Sequence, residues 1–123
     1  MKGNSMGKIE RIQPGPRLSR AVIHNGTAHL AGITAPDRSQ DIRGQLAQVF
    51  ARIDQHLADC GSDRTRLLSA MILLKDVKRD FAALNAAWEA WIPAGHTPAR
   101  ATWEANLAAP DILVEIVIVA AVA

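Results

Sequence analysis

The chain has 123 residues, 49% hydrophobic and 21% charged, which suits one domain with a sizeable core and excludes a disordered or fibrous chain. Fourteen Lys and Arg against twelve Asp and Glu leave a net charge of +2, and Lys8, Arg11, Arg17 and Arg20 form only a scattered basic group, so no nucleic-acid partner is expected. One cysteine, Cys60, excludes an intrachain disulfide and a cysteine metal cluster, and it points to a reducing, cytoplasmic compartment.

Residues 1–8 read as a flexible leader with no apolar stretch of the signal-peptide kind, and residues 9–123 as a single domain. Ile9 to Ile12 is a short strand, broken by Pro14-Gly15-Pro16. Ala21 to His24 is a second strand. Asn25-Gly26 follows, a hairpin signal because both residues tolerate φ > 0, and Thr27 to Gly32 returns as the third strand. Pro36 to Gln40 is a polar loop. From Asp41 the apolar positions Leu46, Val49, Phe50, Ile53 and Leu57 draw one helical stripe, with Ser39 as candidate N-cap and Gly61 past the end. Leu67 to Leu74 is apolar on both sides and reads as a buried strand. Asp76 or Asp80 caps a second helix with the stripe Phe81, Leu84, Trp88 and Trp91 or Ile92, ended by Pro93 and Gly95. Arg100 to Ala105 and Val114 to Val122 are the last strands. The run Leu113 to Ala123 is only 11 residues, against the roughly 20 needed to span a bilayer, so no membrane partner is expected.

The order β-β-β-α-β-α-β-β predicts an α+β fold: a mixed β-sheet with two helices on one face. Its other face would be apolar and uncovered, which predicts a homo-oligomer that buries it.

Few residues could carry chemistry. Arg100, Thr102 and Glu104 alternate along one strand and share a face. A guanidinium fork matches a carboxylate, but a strand arginine is also a common surface charge and could pair with Glu104 or Glu115. Glu115 lies in the apolar run Leu113 to Val119, where a carboxylate needs a partner, a role or access to water. His24, His29, His56 and His96 have no metal-ligand spacing, so no metal is expected. His56 falls on the polar side of its helix. His96 lies in a loop close to Arg100, where it could line a pocket. Cys60 lacks an evident base partner, and Trp88 and Trp91 fit core or interface positions.

Pro98-Ala99-Arg100, Glu115-Ile116 thirteen residues after Thr102, Phe81-Ala82-Ala83-Leu84-Asn85 and Ala31-Gly32 together resemble the RidA (YjgF) family of enamine/imine deaminases, over about Pro16 to Val122. The stretch from Asp80 to Arg100 looks closest to its YoaB-like branch. The resemblance implies a chorismate-mutase-like homotrimer with barrel-like packing of three sheets and a site at each subunit boundary. It implies that Arg100 grips a substrate carboxylate, that Glu115 handles the attacking water, that backbone amides of Gly32 and Thr102 assist, and that Asn85 belongs to the pocket. No cofactor is implied. The chain departs from the family pattern at Leu18 (a tyrosine there), Ala31 (a serine) and Thr102 (a cysteine), which removes polar ligand contacts. The expected activity is hydrolysis of 2-imino or 2-enamino acids. The alternatives are a carboxylate-binding regulatory trimer without turnover and, last, an endoribonuclease.

Overall fold

The computed structural model describes residues 7–122; of the leader expected over 1–8, residues 1–6 lie outside the described residues. The elements follow the predicted order: β1 (Ile9–Pro14), β2 (Ser19–His24), β3 (Thr27–Leu30), α1 (Ile42–Asp59), β4 (Leu67–Leu74), α2 (Val77–Trp91), β5 (Ala99–Glu104) and β6 (Val114–Ala121). They build a six-stranded sheet in the order β1-β2-β3-β6-β4-β5. All pairs are antiparallel except β4 with β5, which α2 connects as a parallel crossover.

The hairpin turn forms as its residues require: Asn25 and Gly26 have φ of +50° and +78°. β3 is shorter than expected. It ends at Leu30, and the chain rejoins the sheet three residues later, where Ile33 bridges Ile116.

Asp41, not Ser39, caps α1: its carboxylate accepts from the Gly44 amide at 2.9 Å. Ser39 instead donates its hydroxyl to Asp37, in a local turn ahead of the helix. At the other end Gly61 takes φ +76°, its amide bonds to the Ala58 carbonyl, and the Ser62 amide reaches back to Leu57, a Schellman closure. Asp76 rather than Asp80 caps α2, accepting from the Arg79 amide at 3.0 Å, while Glu104 at the end of β5 accepts from the Val77 amide. Asp80 is buried and held by two hydrogen bonds from the Arg79 guanidinium. Phe81 departs from the predicted stripe and is exposed; Leu84, Trp88 and Trp91 carry the buried face.

Both helices cover one face of the sheet. Along β6, Val114, Ile116, Ile118 and Ala120 are fully buried, while the alternating Glu115, Val117, Val119 and Ala121 are half-buried. The other face is apolar and lacks a covering layer. Met71 is 42% exposed and Trp103 46%, and Leu68, the extra residue of a bulge in β4, is 49% exposed. Among the described residues no helix is long and apolar enough to cross a membrane.

Two polar residues of α1 behave differently from a solvated helix face. Gln45 is fully buried. Its amide nitrogen donates to the carbonyls of Gln40 and Asp111, with a longer bond to Arg38, and its oxygen accepts from the Leu113 amide. It thereby ties the loop before α1 to the segment that leads into β6. His56, expected in solvent, has a ring that is only 12% exposed, and neither nitrogen has a hydrogen-bond partner among the described residues. Burial pushes its imidazole below the ordinary value of 6.5, and the charges of Arg20 and Arg52 push further, against a weaker pull from Asp59.

These two residues set stability predictions. Gln45→Leu removes the side-chain partner of these part-buried backbone groups and should cost about 2–4 kcal/mol in urea unfolding. His56 binds its proton more readily unfolded than folded. Its contribution to stability is therefore complete above about pH 6.5 and is lost as pH falls. Unfolding free energy measured against pH should fall less steeply on the acid side in His56→Gln than in the unmodified chain.

Candidate functional site

Sheet register decides where the expected site residues point. Side chains paired across neighbouring strands share a face. Ala70 in β4 pairs with Arg100 in β5 and with Ile118 in β6; Ile72 pairs with Thr102 and with Ile116. Arg100 and Thr102 therefore project from the helix-covered face. Leu73 pairs with Trp103 and with Glu115, so those two project from the uncovered face. Arg100 and Glu115 stand on opposite sides of one sheet within a single protomer.

The first half-site lies between β5 and α2. Arg100 Nη2 donates to Asn85 Oδ1 at 2.7 Å, and the guanidinium carbon lies 5.4 Å from the centre of the Trp88 ring. Asn85 and Trp88 are three residues apart on α2 and so share a flank of that helix. Among the described residues Arg100 has no carboxylate partner. Glu104 is used at the start of α2, and Glu115 is on the other face. The remaining guanidinium N–H groups have no partner there either, so a planar anion finds a free edge. The Thr102 hydroxyl next to it is buried and also lacks a partner.

The second half-site is built by Glu115 over Gly32. A Cβ placed on Gly32 would stand 2.0 Å from Glu115 Oε2 and 3.0 Å from its carboxyl carbon. The carboxylate thus occupies the volume that any other residue's side chain would fill at position 32. This is a packing reason for the glycine, and it coincides with the gap between Leu30 and Ile33 in the β3 ladder. Among the described residues Glu115 accepts no hydrogen bond from a side chain or a loop amide, which leaves its oxygens to water or a ligand.

The other expected residues are distributed between these places. Ala31 precedes Gly32, half-buried, with its amide donating to the Arg20 carbonyl. Leu18 lies in the turn from β1 to β2 and is 55% exposed. His96 is exposed in its loop, with its ring near the Ala94 carbonyl rather than Arg100. Cys60 is buried, and burial raises its thiol above the ordinary value, which disfavours the reactive thiolate. Among the described residues no cluster of His, Cys, Asp or Glu could hold a metal ion. Sequence reasoning did not find Trp88 as a support for Arg100; its spacing of three from Asn85 on a helix was the available signal. A separate groove between α1 and α2, floored by Ala47, Ala51, Ala87 and Ala90, carries neither Arg100 nor Glu115.

The Gly32–Glu115 contact predicts a coupling between the two positions. The clashing atoms are the far end of a side chain, so Gly32→Ala should fold with the carboxylate displaced. In a Glu115→Ala background the same change should cost less, with a coupling on the order of 0.5–1 kcal/mol in thermal unfolding.

Comparisons with known proteins bear on the fold and the family. A family model described as endoribonuclease L-PSP matches residues 8–122. The RutC family protein YoaB of Escherichia coli is 46% identical over 114 residues, covering 93% of this chain and 98% of that protein. Among solved structures, a YjgF-family protein of Neisseria meningitidis is 43% identical with a TM-score of 0.89, covering 94% of this chain and 96% of that one. An uncharacterized protein of Pseudomonas aeruginosa is 39% identical with a TM-score of 0.90, covering 94% and 99%.

Proposed function

The chain belongs to the YjgF/RutC family, and from that membership and its two half-sites we propose that it hydrolyses reactive 2-imino or 2-enamino acids to 2-oxo acids and ammonia. The observation that carries this reading is the free guanidinium edge of Arg100 beside Asn85. It suits the planar carboxylate that all such substrates share.

The opposite orientation of Arg100 and Glu115 makes assembly part of the reading. Arg100 belongs to β5, the edge strand of the sheet, where a second protomer can approach. The exposed Leu68, Met71 and Trp103 give the uncovered face the character of a buried interface. We take the unit to be a homotrimer in which Arg100 of one protomer and Glu115 of the next flank one substrate. A cytoplasmic location fits the single reduced cysteine.

In the reaction Arg100 fixes the carboxylate and so orients the C=N carbon. Such positioning contributes several kcal/mol, with roughly 7–11 as the ceiling for ideal geometry. Glu115 takes a proton from water as its oxygen adds to the imine carbon. That proton passes to the imine nitrogen to give a carbinolamine; Glu115 then moves the hydroxyl proton to the amine as the C=O bond forms and the C–N bond breaks, and ammonia leaves. General acid–base work of this kind is worth about 10²–10⁴ in rate. Because the substrate is already reactive, these residues suffice without a cofactor.

A second reading has its own support. Leu18, Ala31 and Thr102 replace polar family positions, which fits a trimer that binds small carboxylates without turnover. The endoribonuclease reading rests on the description of the family model alone.

The test couples an amino-acid oxidase to the purified protein and follows imine decay. The unmodified chain should speed decay above the buffer rate. Glu115→Gln should lower kcat about 10²–10⁴-fold with little change in KM. Arg100→Ala should abolish saturation, and Arg100→Lys should restore only part of it, because an ammonium lacks the fork. Calorimetric binding of 2-oxobutyrate without imine hydrolysis supports the regulatory reading instead.

A further inference from the structure

We infer that Trp88 is a positioning residue for the anion site: its indole ring, with Asn85, holds the Arg100 guanidinium so that its remaining N–H groups are offered to a carboxylate. This rests on the proposed role of Arg100 as the carboxylate holder.

Two observations support it. The guanidinium carbon stands 5.4 Å from the centre of the Trp88 ring, within the range of a cation–π contact, while Nη2 donates to Asn85 at 2.7 Å. The guanidinium carbon lies over the ring. The five N–H donors lie in the guanidinium plane, and Asn85 uses one of them. The fork is thereby held against the ring and at one N–H, and its other donors have no partner among the described residues.

The ring itself is held. Trp88 is 5% exposed, with the rings of Phe50 and Trp91 at 6.2 and 5.7 Å, and Phe50 and Trp91 stack at 4.7 Å. Trp91 in turn donates its indole N–H to Asp54, which takes two hydrogen bonds from Arg64. A chain of packed groups from α1 therefore fixes the plane against which Arg100 rests. An arginine on an edge strand would otherwise sample many rotamers, and ordering them on binding would weaken the anion's hold.

The experiment titrates 2-oxobutyrate into the full chain and its Trp88→Phe and Trp88→Leu variants by calorimetry. A parallel sample carries 5-fluorotryptophan for fluorine NMR, with the Trp88 resonance identified by its loss in Trp88→Phe. Affinity should fall by roughly three- to thirtyfold in Trp88→Leu and by less in Trp88→Phe, which keeps an aromatic face. In turnover the loss should appear in KM more than in kcat, and in the unmodified chain the Trp88 resonance should move as the anion binds. Trp88→Leu binding as tightly as the unmodified chain overturns the inference. So does a Trp88 resonance that stays still while calorimetry records binding, a result that needs only the conservative Trp88→Phe protein to fold, for the assignment, and not Trp88→Leu. If the unmodified chain neither binds 2-oxobutyrate nor hydrolyses imines, the role of Arg100 fails first and Trp88's role falls with it.

Discussion

The alternation of side chains along β-strands governs this protein's chemistry. One row of paired residues carries Arg100 toward the helices, and the adjacent row carries Glu115 to the bare face. The separation is fixed by backbone hydrogen bonding and cannot be relaxed by a rotamer change. A single protomer therefore holds the two candidate half-sites with the sheet between them. A mechanism using both groups on one substrate must draw them from different copies, which ties the proposed activity to assembly more strongly than an exposed apolar face alone would.

Each half-site is prepared by packing. Glu115 has its place because residue 32 has no side chain, and the gap in the β3 ladder occurs at the same point. Arg100 has its place because α2 presents an amide oxygen and an indole face three residues apart. α2 is anchored in turn at both ends: Asp76 and Glu104 satisfy its first amides, and the Asp54–Arg64–Trp91 network holds its last turn. The strand that carries Arg100 thus also supplies, through Glu104, a cap for the helix that positions Arg100.

Polar groups in unusual surroundings divide by what satisfies them. Gln45 and Asp80 are buried with good partners and act as structural ties. His56 is largely covered, and its ring nitrogens have no hydrogen-bond partner among the described residues, which is why acid sensitivity is expected of it. The Thr102 hydroxyl is also without a partner, but it stands beside the free edge of Arg100, where a family cysteine is replaced.

Local signals in the sequence were enough for the elements and their order. Asn25-Gly26 marked its turn, the stripe from Leu46 to Leu57 marked α1, and Gly61 marked its end, because each reports a backbone preference or a periodicity that needs no distant partner. The family resemblance, carried by Pro98-Ala99-Arg100, Ala31-Gly32 and Glu115, likewise needed only the order of residues. Where two local solutions competed, as with Ser39 against Asp41 or Asp76 against Asp80, the choice depended on loop geometry and went to the other residue or stayed open. What tertiary structure alone decided was which face each side chain joins. The pairing of β5 and β6 on either side of β4 is long-range, and a shift of one residue would exchange the two faces. The opposition of Arg100 to Glu115, the carboxylate filling the space above Gly32 and the indole beneath the guanidinium all follow from that register, which no local pattern encodes.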